Sequence, residues 1–254
     1  MFPEERRREI VARLRRDGRC LVADLARHLD VSEVTIRQDL DALEREGQLR
    51  RTHGGAILDE KIGMERPFQI EETEHRVEKE RIAAAAAALI SAGDTLILDV
   101  GTTVTAVARR LVEEKVKATV FTNGLNIAAI LEADPDITTV VTGGTVRPKQ
   151  HSLVNPFAGF VLPRIHADLA FLGINGIESK HGVTNVNVAE AEIKALFVQA
   201  ARRRVVLADS SKVGKIALAK FAELREVDLL ITDQAADPGE IASLREGGLE
   251  VQLV

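Results

Sequence analysis

A chain of 254 residues, 45% hydrophobic and 29% charged, is long enough to bury the core of one large or two smaller domains. Its single cysteine, Cys20, excludes an internal disulfide and a cysteine-based zinc site, and the absence of Trp and Tyr argues against base stacking on single-stranded nucleic acid. The net charge of −5 is unevenly divided: residues 1–58 hold 12 Arg against 11 Asp and Glu, whereas 59–254 hold 22 basic against 28 acidic residues.

Met1–Ile10 is charged rather than signal-like, and no apolar run reaches bilayer length, so a cytoplasmic protein with no membrane partner is expected. The histidines lack metal-ligand spacing, and neither a metal nor a cofactor is called for. Pro3 can open a first helix whose inner stripe is Ile10, Val11 and Leu14 and which ends near Asp17-Gly18. The arginines around it, Arg6, Arg7, Arg8, Arg13, Arg15 and Arg16, interleave with Glu4, Glu5 and Glu9 and read as a solvated face, with one or two of them reaching phosphate. A second helix, Val22 to Leu29, places Val22, Leu25, Ala26 and Leu29 on one side, and Asp30-Val31 turns the chain into a third.

Ser32 is the N-cap of that third helix, and Ile36, Leu40 and Leu43 face inward at i, i+4, i+7. At about 100° per residue, Val34, Gln38 and Arg45 fall opposite, flanked by Thr35 and Arg37. Such a small, polar face suits a helix inserted in a DNA major groove, because Gln and Arg hydrogen-bond base edges and Thr touches a thymine methyl. Leu49 to Leu58 then reads as two short strands around His53-Gly54-Gly55, the glycines supplying the positive φ of a tight turn. Arg50, Arg51, Thr52, His53 and Gly54 would lie along that wing, within reach of phosphates or a minor groove. Taken singly, the pieces fit an amphipathic helix and an ordinary surface hairpin; in this order they read as a winged helix-turn-helix.

The 35 residues VADLARHLDVSEVTIRQDLDALEREGQLRRTHGGA resemble, without a gap, the N-terminal signature of the DeoR family of bacterial transcription regulators. Gln38 stands where that family commonly has a second Arg, a difference that bears on base preference, since Gln suits adenine and Arg guanine.

Residues 59–76 are polar, contain Gly63 and Pro67, and show no period, so they read as a linker between a DNA-binding domain at 1–58 and a second domain at 77–254. The second domain opens with a helix filled by Ala83 to Ala88. Apolar strands then alternate with helical patterns. TLILDV (95–100), ATVFTN (118–123), ITTVVTGG (137–144), DLAFLGI (168–174), RVVLAD (204–209), VDLLITD (227–233) and the final LEVQLV read as strands. A long irregular stretch follows Gly144. Near-continuous Val/Ile/Leu strands separated by helices define an α/β domain with a mainly parallel sheet covered on both faces.

Such sheets bind ligands beyond the carboxyl ends of their strands. Asp99-Val100-Gly101-Thr102-Thr103 ends one strand and opens a helix, presenting unpaired backbone N–H groups and two hydroxyls suited to a phosphate, although a tight turn with helix caps would look the same. Thr122-Asn123-Gly124, Thr142-Gly143-Gly144 and Asp209-Ser210-Ser211-Lys212 end other strands. Lys212 can add positive charge, while Asp99, Asn123, Asn175 and Asp209 offer partners for sugar hydroxyls. GDTLILDVGTT, the Thr-Asn and Gly-Gly pairs, FLGINGI, EAEIK (190–194) and LADSSKVG are similar, in order, to the effector domain of DeoR-family regulators, which itself is similar to ribose-phosphate isomerases and glucosamine-phosphate deaminases. That resemblance implies that Gly101, Thr102, Thr103 and Lys212 hold the phosphate of a sugar-phosphate effector, with Gly143, Gly144, Glu190 and Lys194 in the same site. At i, i+4 spacing Glu190 and Lys194 equally suit a helix-surface ion pair. Asn155-Pro156 stands where the family often has a Gly.

The expectation is a sugar-phosphate-responsive regulator, most often a repressor in that family, acting as a dimeric or tetrameric homo-oligomer on repeated or palindromic double-stranded operators. A sugar-phosphate isomerase or deaminase with an accessory DNA-binding domain is the alternative. A DNA-binding protein whose α/β domain serves only to dimerise is a third reading.

Overall fold

The computed structural model describes residues 3–17, 19–45, 49–52, 54–57 and 66–254, which fall into two units, Met1–Lys61 and Ile62–Val254. In the first unit α1 (Pro3–Asp17), β1 (Arg19–Leu21), α2 (Val22–Leu29) and α3 (Glu33–Arg45) precede a hairpin of β2 (Arg50–Thr52) and β3 (Gly55–Ile57). Ile10, Leu14, Leu25, Ile36, Leu40 and Leu43 are essentially inaccessible and form one core with Val22, Leu29, Cys20 and Ala56. Each such side chain contributes about 1.5–3 kcal/mol of burial. Asp30 takes a left-handed conformation (φ 52°) after α2, and the Val31 amide donates to the Ala26 carbonyl at 3.1 Å, which sets the turn into α3.

Two features differ from the sequence reading. The glycines of the hairpin do not serve a positive φ. Gly55 is required because β3 passes so close to β1 that a Cβ would lie 1.9 Å from the Cys20 carbonyl oxygen. Arg6 is not part of a solvated face either: its side chain is 9% exposed and its Nε donates to Asp39 Oδ2 at 2.5 Å, while Arg7 donates to the other oxygen at 3.2 Å. Asp39 sits on α3 one residue before Leu40, so a pattern search for apolar positions passes over the charged residue buried beside them.

The second unit begins, within the stretch read from sequence as linker, with α4 (Phe68–Thr73) and continues with α5 (Arg76–Ala87), β4 (Thr95–Leu98), α6 (Thr102–Glu113), β5 (Ala118–Thr122), α7 (Leu125–Leu131) and β6 (Ile137–Val141). A hairpin of β7 (Thr145–Arg147) and β8 (Ser152–Val154) and the short α8 (Ala158–Val161) occupy the stretch after Gly144. Then come β9 (Ala167–Gly173), β10 (Gly176–Glu178), β11 (Gly182–Asn185), α9 (Val188–Ala200), β12 (Ala201–Leu207), β13 (Ala219–Ala222), β14 (Leu229–Thr232), α10 (Pro238–Glu246) and β15 (Glu250–Leu253). Seven strands form one sheet in the order β15-β14-β12-β9-β4-β5-β6, every neighbouring pair parallel.

The alternation of side chains along each strand divides the apolar residues between two cores. Leu96, Leu98, Phe171, Val205, Leu207 and Ile231 pack with α5, α6 and α7, whereas Ile97, Ala170, Leu172, Val206 and Leu230 pack with α9 and α10. From β4 the chain proceeds through α6 and α7 to β5 and β6, and from β9 through α9 to β12, β14 and β15 in the opposite direction. The sheet's switch point therefore lies between the ends of β4 and β9, the place where sheets of this class bind ligands.

Replacing Asp39 by Ala removes a buried carboxylate that pairs with both Arg6 and Arg7. The expected loss is about 3 kcal/mol of stability in the first unit, with Asp39→Asn losing less, read as a lowered first transition in thermal melts followed by circular dichroism.

Candidate functional site

On the first unit, Ser32 caps α3, its Oγ accepting from the Thr35 amide at 3.1 Å. Val34 is 61% exposed, and Arg37 and Gln38 project into solvent beside it. Arg37 Nη2 donates to Glu33 Oε2 at 2.8 Å, one turn earlier, which holds the guanidinium along the outer face. Arg51 behaves differently: Nη1 pairs with Asp41 and donates to the Arg37 carbonyl, and its amide donates to Glu44 Oε1 at 2.7 Å. It fastens β2 to α3. Thr52 and Gly54 are exposed next to the turn, and the Gly54 carbonyl accepts from the Val22 amide at 2.9 Å. His53 and the side chain of Arg50 lie outside the described residues.

On the second unit, β4 delivers Asp99 to the switch point, completely buried. Its Oδ2 accepts from the Gly173 amide at 3.0 Å, at the end of β9, and from Lys194 Nζ, which also donates to the Gly173 carbonyl at 2.9 Å. Asp99 Oδ1 has no hydrogen-bond partner among the described residues. Burial pushes the Asp99 carboxyl up to about 6; the Lys194 ammonium offsets only part of that, and nearby Glu190 adds to it.

Glu190 and Lys194 do not pair with each other on the surface of α9. Both are buried on the face that meets the strand ends, and each takes a separate partner. Glu190 Oε1 pairs with Arg147 Nη1 at 2.5 Å and accepts from Ser152 Oγ at 2.6 Å, and Oε2 accepts from Asn185 Nδ2 at 3.3 Å. Arg147, Ser152 and Asn185 escaped the sequence reading: single residues carry no spacing signal, and their roles depend on where the β7–β8 hairpin folds back and where β11 ends.

Gly101 precedes α6 at φ 138°, a conformation L side chains rarely adopt, and no side chain caps the helix. The first-turn N–H groups of α6 consequently have no side-chain cap, and buried Thr102 and Thr103 lie in the same turn. Asn123 is fully committed to holding loops together, accepting from the Val100 amide at 3.1 Å and donating to the Leu153 carbonyl at 3.4 Å. Asn175 Oδ1 accepts from the Val186 amide at 3.1 Å. Gly143 (φ 72°) and Gly144 (φ 134°) shape the loop after β6, and a Cβ on Gly144 would lie 2.0 Å from the Val154 carbonyl oxygen.

Asp209 caps the short helical turn Ser210–Lys212, accepting from the Ser211 amide at 3.0 Å. Burial alone would raise its pKa, but the Ser211 hydroxyl and the charges of Lys212, His75 and Lys79 hold it below the usual carboxylate range. Lys79 on α5, absent from the sequence reading, is buried and its ammonium is pulled below the usual lysine range by that burial. Lys212 Nζ lies 3.7 Å from Glu71 Oε1.

Three helices closed by a β-hairpin, with a polar outer face on the third, define a winged-helix DNA-binding unit, and the α/β unit with charged residues gathered at its switch point defines a ligand-sensing partner. Residues 6–62 match the DeoR-like helix-turn-helix domain and residues 74–234 the DeoR C-terminal sensor domain. The chain belongs to the DeoR family of transcription regulators.

It is 35% identical over 253 residues to the HTH-type transcriptional regulator GolR of Listeria innocua, covering 100% of this chain and 99% of that protein. The HTH-type transcriptional repressor GlcR of Bacillus subtilis is 34% identical, covering 99% and 96%, and the glycerol-3-phosphate regulon repressor of Escherichia coli is 28% identical, covering 100% of both. Among solved structures, ribose 5-phosphate isomerase A of Methanocaldococcus jannaschii aligns with a TM-score of 0.39 at 19% identity over 53% of this chain and 52% of that one. The eIF2B delta subunit of Chaetomium thermophilum aligns with a TM-score of 0.48 at 17% identity over 64% and 57%. Likeness of that degree carries no chemistry.

A carboxyl whose folded pKa lies above its unfolded value stabilises at low pH and loses that contribution as pH rises, here between its ordinary 3.8 and about 6. Asp99→Asn removes the titration. The stability of the unsubstituted protein relative to Asp99→Asn therefore falls as pH is raised from about 4 to about 7, by up to roughly 3 kcal/mol. Urea denaturation across that range measures it, and a difference that stays flat would show that Asp99 titrates elsewhere.

Proposed function

We propose that this regulator represses sugar-metabolism genes and that a phosphorylated sugar, bound at the switch point of its sensor domain, controls its hold on the operator. The observation that carries the ligand reading is the uncapped N-terminus of α6, with Gly101, Thr102 and Thr103, opening at the carboxyl edge of the sheet beside Asp99. The phosphate sits on those amides and hydroxyls and on Lys212. Sugar hydroxyls meet Asp99 Oδ1, an acceptor without a hydrogen-bond partner among the described residues, together with Asn175, Asp209 and the Glu190 and Lys194 groups. Gly143 and Gly144 line the same loops, and Asn123 holds them in place.

Operator reading falls to α3 through Val34, Thr35, Arg37 and Gln38, whose outer face is polar and open. Ser32, Thr52 and Gly54, with Arg50 and His53 of the wing, supply backbone contacts. Because Arg51 is spent on Asp41, it orients the wing rather than reading bases. A homo-oligomer on a two-fold related operator gives each recognition helix its own major groove. The names of the relatives, transcription regulators and repressors, favour this reading over a sugar-phosphate isomerase, and a cytoplasmic location follows from it. No helix among the described residues is long and apolar enough to cross a membrane. The domain division 1–58, 59–76 and 77–254 is part of the same proposal.

Fluorescence anisotropy of the full-length protein on DNA from its own upstream region, titrated with sugar phosphates and the matching free sugars, tests it. One phosphorylated sugar changes DNA affinity and its unphosphorylated form does not. Arg37→Ala and Gln38→Ala each weaken specific binding by about 1–3 kcal/mol with the melting curve unchanged; full operator affinity in both would move the reading face elsewhere.

A further inference from the structure

We propose that the segment Arg66–His75 belongs to the ligand site as a strap: its Glu71 carboxylate occupies the lysine that the ligand's anionic group takes, so that anion binding and release of the strap are one event. This rests on the reading of Gly101–Thr103 and Lys212 as the anion site.

The strap touches loops on both sides of the switch point. At one end the Phe68 amide donates to the Lys149 carbonyl at 2.9 Å, the Phe68 ring meets the His151 ring edge-on at 5.3 Å, and Gln69 Nε2 lies 3.1 Å from His151 Nε2. His151 belongs to the loop that closes on the end of β5, where its carbonyl accepts from the Leu125 amide at 2.8 Å. At the other end Glu71 reaches Lys212, beyond β12. Between them Glu72 pairs with Arg109 of α6, the helix whose N-terminus holds Gly101 to Thr103. Lys79 pins the strap from below, its Nζ donating to the Glu71 and Glu74 carbonyls.

The attachment is polar almost throughout, for Phe68 is the one residue of α4 that is buried. Polar ties on a partly exposed segment are individually weak, so the strap can leave without disturbing either apolar core. Charge decides which group yields. Lys79 and Lys212 face Asp209 and Glu71, with Arg66 and His75 of the strap itself also within electrostatic reach. An incoming phosphate brings up to two negative charges to Lys212. Asp209 is fixed as the cap of Ser210–Lys212 through the Ser211 amide, whereas the Glu71 carboxylate has Lys212 as its partner at 3.7 Å. Glu71 is the carboxylate that leaves, and with it the segment next in the chain to the DNA-binding unit.

Hydrogen exchange of the full-length protein with and without inorganic phosphate, paired with titration calorimetry of phosphate into the unsubstituted protein and Glu71→Gln, tests the proposal. Saturating phosphate speeds exchange in the 66–75 peptide several-fold and leaves the 95–98 strand unchanged. Glu71→Gln binds phosphate roughly three- to tenfold more tightly, and its strap exchanges fast before phosphate is added. Phosphate that binds both proteins equally, or that binds without loosening 66–75, overturns the strap while leaving the anion site standing. Absence of phosphate binding in both overturns the anion site and the strap together.

Discussion

The buried pair of Asp99 and Lys194 is the contact on which the sensor unit's site is built. Asp99 arrives from β4, Lys194 from α9, and both reach Gly173 at the end of β9, one accepting from its amide and the other donating to its carbonyl. The two halves of the sheet run away from each other at this point, and nothing in the strand pairing beyond it holds their loops in register. A charge pair with fixed hydrogen bonds does so directionally, as an apolar contact would not. The cost is visible in the carboxyl itself, which burial raises to about 6 even with an ammonium in contact. A buried charge pair of this kind is a poor device for stability alone. It is a good one for a site that must discriminate hydroxyl-bearing ligands, because an acceptor left without a donor penalises every occupant that fails to supply one.

Much of this architecture was legible in the chain. The central strands β4, β9 and β14 are legible because they bury both faces, and the residues that make their apolar runs continuous split between the two cores. The inner stripe of α3 and its Ser32 cap followed from spacing, and the Gly101 turn followed from a glycine and two threonines between a strand and a helix. What spacing hides is the destination of a charged side chain. Glu190 and Lys194 have the separation of a surface pair, and only the position of α9 over the strand ends shows that each belongs to a different buried partner. Arg6 and Asp39 are 33 residues apart, and no local pattern records that they meet. Gly54-Gly55 illustrates a related point: the pair has the sequence of a turn, whereas the constraint on Gly55 comes from β1, a strand too short to show any period.

The segment read as a linker is the most instructive case. Residues 66–75 are polar, carry a proline and lack a periodic apolar face, which is why they look unstructured. The same composition lets them sit at the rim of a charged cleft and form ties that can be exchanged for a ligand's. A strand of the core could not do this, since removing it would expose apolar surface worth several kcal/mol, whereas exchanging one ion pair for another is nearly balanced.

That balance bears on how a sensor of this build passes its state along the chain. A ligand shifts an equilibrium only by the difference between its affinities for the two states. In the proposed site, with Glu71 on Lys212 the ligand's anionic group would meet a carboxylate; with Glu71 gone, it would meet Lys212 and the uncapped amides of α6. The difference in affinity is therefore located at one charge, on a segment that continues through residues 58–65 into the DNA-binding unit. The Lys79 contacts to the Glu71 and Glu74 carbonyls keep the strap close to its seat, so that its return is a local step once the ligand leaves. A regulator built in this way needs no change in the register of its sheet, and the packing of both cores can remain fixed while the hold of the rim on the strap alternates.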